Sequence, residues 1–205
     1  MSTSISLTID GKACTCLPGE YLADVAKRNG IDVPLLCGYK ESLLGRGSCR
    51  VCIVEVVESG RSKIVASCIY PVQKECEVFT ANERVTKERG VIFALLKGLA
   101  PESELIASMA KAYGAPYVKR LDASDPEYLA YEEANSACML CGLCVEACKT
   151  LGTGAISTVG RGVEKKVSTP FDEPTPDCIG CGSCAAVCPT RCIPYEETAT
   201  QVSIW

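Results

Sequence analysis

The chain has 205 residues, sixteen of them cysteine and none histidine, with a formal net charge of −4. That charge and the lack of a long basic run argue against nucleic acid as a partner, and no apolar stretch is long enough to span a bilayer. Without histidine there is no histidine general base, no Ser-His-Asp or Cys-His nucleophile system, no Cys₂His₂ zinc and no Rieske-type cluster, so a bound metal is expected on thiolates, with carboxylates as the second choice.

Residues 1–80 read as a β-rich domain with one helix. "SISLTID" alternates Ile5, Leu7 and Ile9, and Asp10-Gly11 turns the chain into the strand "KACTCL". "GEYLADVAKRNG" carries Leu22, Val25 and Ala26 at helical spacing and stops at Gly30. "VCIVEVVESGRSKIVASC" reads as two strands joined at Ser59-Gly60. The order strand, strand, helix, cysteine loop, two strands suits a β-grasp ferredoxin domain.

Residues 81–136 change character and hold no cysteine. A helix over "NERVTKERGVIFALLKGLA" is expected to place Val85, Ile92, Leu95, Leu96 and Leu99 on one face. "PESELIASMAKAYG" predicts a second helix with Pro101 in its first turn and Gly114 at its end, and "SDPEYLAYEEAN" a third, short one. The segment is expected to be a helical bridge between two metal domains.

Residues 137–205 carry a repeated motif. "CMLCGLCVEACK" and "CIGCGSCAAVCP" share the spacing C-x₂-C-x₂-C-x₃-C. Three cysteines so spaced wrap one iron–sulfur cube, and in two-cluster ferredoxins the fourth ligates the other cube. One [4Fe–4S] cluster is therefore expected on Cys138, Cys141, Cys144 and Cys188, and a second on Cys178, Cys181, Cys184 and Cys148. Gly142 and Gly182 would let the backbone run close to inorganic sulfide. Structural zinc is the competing reading, but zinc modules use separated C-x₂-C pairs.

A second thiol set comprises Cys37, Cys49, Cys52 and Cys68, spaced C-x₁₁-C-x₂-C-x₁₅-C. It keeps the C-x₂-C core of plant-type ferredoxins and predicts a [2Fe–2S] cluster. Gly45 and Gly47 would let its loop turn tightly, and Arg50 between two ligands reads first as a solvated surface charge. Cys14, Cys16, Cys76 and Cys192 fall outside both sets. Burial as small hydrophobes is expected for each, with a redox or ligand-swap role conceivable for Cys192 behind Cys188.

"GIDVPLLC", "GSCRVCIVEV", "ASCIYPV", "CMLCGLCVEAC", "GRG" and "CIGCGSCAAVCPT" occur in an order that resembles the N-terminal iron–sulfur region of the large electron-transfer subunit of complex I-type NADH dehydrogenases. The same module occurs in diaphorase subunits of NAD-linked hydrogenases and formate dehydrogenases. The resemblance implies an α+β chain that relays single electrons between a flavin-containing NADH-oxidising or NAD-reducing subunit and a partner's catalytic oxidoreductase subunit. Ferredoxin is a further conceivable partner, and electron bifurcation is open. Relatives carry a His/Cys-ligated [4Fe–4S] cluster in the middle region, and a chain without histidine cannot hold it. No G-x-G-x-x-G opens a helix, so nucleotide binding and a catalytic role of its own are not expected. Lys149 after the first copy's last cysteine, where small ferredoxins have proline, also favours a subunit. The alternative is a free multi-cluster ferredoxin. "MSTSISLTID" lacks the features of a secretory signal, so the expected location is cytoplasmic.

Overall fold

The computed structural model describes residues 4–38, 47–116, 137–197 and 202–203. The chain divides into two compact units, residues 1–94 with 110–116, and residues 95–109 with 117–205.

The first unit is built on a five-stranded sheet in the order β2-β1-β5-β3-β4. Its strands are β1 (Ile5–Ile9), β2 (Lys12–Cys16), β3 (Ile53–Glu58), β4 (Arg61–Ala66) and β5 (Cys76–Phe79). β1 and β5 pair in parallel, and every other pair is antiparallel. Both predicted hairpin turns form with positive φ at their two central residues, 49° and 79° at Asp10-Gly11 and 49° and 76° at Ser59-Gly60. That is the conformation whose twist matches the flanking strands. Asp10 also accepts hydrogen bonds from the Thr80 amide and hydroxyl, at 2.8 and 2.5 Å, which ties the first hairpin to the end of β5.

β5 is the strand that sequence patterning passes over. Only Cys76 and Val78 of its four residues face the core, and Glu75 and Glu77 break the apolar run. The helix α1 (Leu22–Arg28) lays Leu22, Val25 and Ala26 against the sheet. Strand, strand, helix, two strands and a last parallel strand make this a β-grasp domain. Cys14, Cys16 and Cys76 are 4–8% exposed and belong to its core. Cys14 and Cys76 both stand opposite Leu7, one on each side of β1. Burial pushes the Cys76 thiol up to about 11, so it stays protonated and packs as a small apolar group.

The helix α2 (Glu83–Leu99) begins after Asn82, whose side-chain oxygen accepts from the Val85 amide at 2.9 Å. Its buried face differs from the expected one. Val85, Arg89, Phe93 and Leu96 are buried, whereas Leu95 is 61% exposed. Successive helical residues are separated by about 100°, so neighbouring Leu95 and Leu96 cannot share a narrow stripe. The helix α3 (Glu104–Ala112) also starts later than expected. Ser103, not Pro101, begins it, with the Ser103 hydroxyl accepting from the Ile106 amide at 3.3 Å. The expected third helix over 124–135 lies outside the described residues.

From residue 137 onward the secondary structure is short. The helix α4 (Leu143–Thr150) belongs to the first cysteine motif and α5 (Ser183–Ala186) to the second, and the two pack together. Between them β6 (Ser157–Val159) and β7 (Lys166–Ser168) form an antiparallel ladder. A second small ladder joins β8 (Glu196–Glu197) to β9 (Val202–Ser203). Among the described residues, no helix is long and apolar enough to cross a membrane.

Candidate metal centres

The β3–β4 hairpin assembles half of the first thiol set. Cys52 immediately precedes β3, Cys68 lies in the 3-10 turn just after β4, and Ile53 pairs with Ala66 across the ladder. The Cys52 Sγ consequently sits 3.3 Å from the Cys68 Sγ. The Ser67 hydroxyl and amide both donate to the Cys52 carbonyl, at 2.9 and 3.1 Å, and hold that end of the hairpin closed. The other half comes from loops, with the Cys49 amide donating to the Cys37 Sγ at 3.5 Å.

All four thiols are buried, between 0 and 7% exposed. They are linked by hydrogen bonds, Cys37 to both Cys49 and Cys68, and Cys68 to Cys52. Hydrogen bonds from Cys49 and Cys68 hold Cys37 well below the ordinary thiol range. The bond to Cys37 pushes Cys49 and Cys68 up, with burial adding to it. Four buried sulfurs in mutual contact form a donor set whose thiol protons a metal would displace on ligation. Two thiols from a hairpin and two from a loop also make the two pairs that two irons need.

The intervening turn needs special backbone. Gly47 has φ 65°, and a Cβ there would come within 2.5 Å of the Ile69 side chain. Arg50 is exposed and adopts φ 62°, so its place between two ligands is as much a matter of backbone conformation as of charge. Gly45 lies outside the described residues.

The two copies of the later motif follow the same backbone path. Leu140 and Gly180 occupy matching positions with φ 52° and 65°, and Gly142 and Gly182 with φ 77° and 71°. Gly142 and Gly182 begin α4 and α5 in the left-handed region, and a Cβ on Gly182 would collide with the Tyr195 ring. Each turn so aims its thiols inward. All eight cysteines of the two copies line a single cavity of about 740 Å³. The last cysteine of each copy touches a threonine hydroxyl, Cys148 with Thr153 at 3.1 Å and Cys188 with Thr190 at 3.6 Å.

Burial pushes the Cys144 thiol up to about 12, with the neighbouring Cys141, Cys188 and Cys184 adding to the shift. Cys184 is raised by burial and by the proximity of Cys181 and Cys148. Cys188 therefore lies within electrostatic reach of a first-copy thiol, and Cys148 of a second-copy thiol. Among the described residues, no three cysteine or acidic side chains are gathered around a single metal-ion position. The later thiols surround a larger space, which suits a cluster better than one tetrahedral zinc.

One residue of these sites escapes sequence reasoning. Arg89 on α2 is 3% exposed and donates to the carbonyls of Val51 at 3.0 Å, Ile53 at 2.6 Å and Thr80 at 3.0 Å. Val51 and Ile53 flank Cys52, so this guanidinium holds the backbone of the first site. The Tyr113 ring lies 5.3 Å from it. Cys192, which the sequence places just behind Cys188, has its Sγ 3.5 Å from that of Cys188 and lines the cavity of the other eight.

Comparison with known proteins agrees with this geometry. Residues 2–83 match the 2Fe-2S iron-sulfur cluster binding domain family. Residues 137–192 match the 4Fe-4S dicluster domain family. The chain is 31% identical to the NADP-reducing hydrogenase subunit HndD of Solidesulfovibrio fructosivorans, over 97% of this chain and 37% of that protein. It is likewise 31% identical to the NADPH-Fe(3+) oxidoreductase subunit alpha of Geobacter sulfurreducens, over 91% of this chain and 23% of that protein. The mitochondrial 78 kDa subunit of NADH-ubiquinone oxidoreductase from Candida albicans is 25% identical over 98% of this chain and 30% of its own length. The chain thus spans well under half the length of these curated relatives. A crystal structure of NAD+-reducing [NiFe]-hydrogenase in the H2-reduced state superposes with a TM-score of 0.65 at 29% identity, covering 82% of this chain and 75% of that one.

Proposed function

We propose that this chain, which carries a [2Fe-2S] domain and a two-cluster [4Fe-4S] domain, relays single electrons within a multi-subunit oxidoreductase. The three clusters supply reversible one-electron chemistry. On this reading electrons are exchanged with a flavin-containing, NAD(P)(H)-handling subunit and with a partner's catalytic site. The named relatives support it, since they are a hydrogenase subunit, an NADPH–iron oxidoreductase subunit and a subunit of NADH-ubiquinone oxidoreductase.

The chain's own work is ligation, spacing and tuning. Cys37, Cys49, Cys52 and Cys68 would hold the [2Fe-2S] cluster, with Arg89 fixing the backbone around Cys52. Cys138, Cys141, Cys144 and Cys188 would hold one [4Fe-4S] cluster, and Cys178, Cys181, Cys184 and Cys148 the other. The observation that supports this crossed assignment is that thiols of both copies line one cavity, with Cys188 within reach of Cys144 and Cys148 of Cys184. Thr153 and Thr190 would offer hydroxyl hydrogen bonds to the crossed ligands and bias the potentials.

The test combines composition and spectroscopy. The purified chain should be brown and contain about ten irons. Electron paramagnetic resonance of reduced Cys188→Ser should show one [4Fe-4S] signal altered, that of the cluster sharing Cys138, and the [2Fe-2S] signal unchanged. Perturbation of the Cys178 cluster instead overturns the crossed assignment. Recovery of the native protein as a lone monomer, without a flavoprotein, would favour a diffusing ferredoxin.

A further inference from the structure

We infer that Cys192 is a reserve ligand for the cluster assigned to Cys138, Cys141, Cys144 and Cys188, placed to take over the iron that Cys188 holds. The inference rests on the crossed assignment above and extends it to a ninth thiol.

The local sequence puts this thiol where it is. Cys188 opens the segment "CPTRCIP", and the Arg191 amide donates back to the Cys188 carbonyl at 3.3 Å. Pro189 fixes the first step of that turn. Arg191 then adopts φ 52°, which reverses the chain and returns Cys192 towards the cavity. The result is a sulfur 3.5 Å from the Cys188 Sγ and hydrogen-bonded to Cys138 as well. Cys192 therefore touches two of the four thiols of one assigned cluster, one from each copy of the motif.

A cysteine that merely filled space would sit among hydrocarbon, as Cys14, Cys16 and Cys76 do in the sheet core. Cys192 is only half-buried and faces thiols. The exchange this permits is redox-neutral. The Cys188 sulfur–iron bond breaks as the Cys192 sulfur–iron bond forms. The Cys192 proton passes across the 3.5 Å contact to the departing Cys188 sulfur. No electron, oxidant or further reactant is needed, and the cluster keeps four thiolate ligands throughout, one on each iron.

The experiment uses the purified full chain, with variants Cys188→Ala, Cys192→Ala and the double variant. Alanine removes any oxygen donor that serine would offer. Iron and acid-labile sulfide per chain are measured, with spectra of the reduced protein. Both single variants should keep about ten irons, Cys188→Ala with a shifted [4Fe-4S] signal, and the double variant should fall to about six. Failure of the double variant alone to fold, while each single variant folds, carries the same meaning. Loss of the cluster in Cys188→Ala itself overturns the inference and leaves the crossed assignment standing. Retention of about ten irons in the double variant overturns both, because Cys188 would then not be a ligand.

Discussion

Arg89 shows how a single buried charge can organise a metal site it does not ligate. Its guanidinium is 3% exposed and its hydrogen bonds end on three backbone carbonyls, two of them beside Cys52. Hydrogen bonds to a charged group contribute about 1.5–3 kcal/mol each and are not additive. Arg89→Met should therefore destabilise the β-grasp domain by about 3 kcal/mol or more, read from denaturant unfolding. Arg89→Lys should recover only part of this, because one ammonium cannot reproduce the planar fork. The buried positive charge also favours the more negative, reduced cluster, so Arg89→Met should lower the [2Fe-2S] reduction potential in a redox titration. An unchanged potential would confine Arg89 to a purely structural role. In the sequence Arg89 reads as one more charge in "TKERG", yet it lies four residues from both Val85 and Phe93, on the stripe that is buried. The ligand cysteines were easier to read, because a C-x₂-C pair is a property of local sequence. The place of Cys192 behind Cys188 was legible too, but its contact with Cys138 was not, because a tertiary approach sets it.

At the level of elements, the two motif copies differ in one residue with a visible effect. After Cys148 comes Lys149, and α4 continues to Thr150 over eight residues. After Cys188 comes Pro189, and α5 ends at Ala186 after four. Proline lacks the amide donor and its ring clashes with the carbonyl four residues back. Pro189 therefore forbids the continuation that Lys149 allows, and frees the segment that carries Cys192. Lys149→Pro should transfer the short form to the first copy. It removes the last-turn hydrogen bond to the Val145 carbonyl and should destabilise the protein by about 3 kcal/mol. Circular dichroism should show reduced helicity, and thermal unfolding an earlier transition. A variant with wild-type stability would mean that the end of α4 contributes nothing to the fold. Element legibility follows the same local logic. Two hairpin turns and α1 were readable from turn chemistry and periodicity, whereas β5 earns its place at the sheet centre only through pairing with β1 and β3.

At the scale of the whole chain, the two kinds of domain are held together by different forces. The β-grasp unit has a continuous apolar core, in which Leu7, Ile9, Leu22, Val25, Val54, Val56, Val72 and Val78 are all nearly inaccessible. Among the described residues from 137 onward the buried apolar ones are few, namely Met139, Leu143, Ala147 and Ala155 beside the thiols of Cys141, Cys144 and Cys184. A segment of about this size rarely buries enough apolar surface to fold without a metal or disulfide. On the proposed assignment, ligation supplies most of its stability, and crossed ligation would make the two copies interdependent. Removing iron with an oxidant and chelator should therefore unfold the dicluster segment as one unit while the sheet survives. In hydrogen exchange, the amides of α4 and α5 should lose protection together, and those of β1, β3 and β5 should keep theirs. Independent loss of the two helices would contradict crossed ligation, since uncrossed clusters would let each copy open alone. Protection of both helices after complete iron removal would show that packing, not ligation, holds the segment. Because Cys192 lies against both Cys138 and Cys188, its thiol is positioned where the two copies must stay joined for the segment to persist.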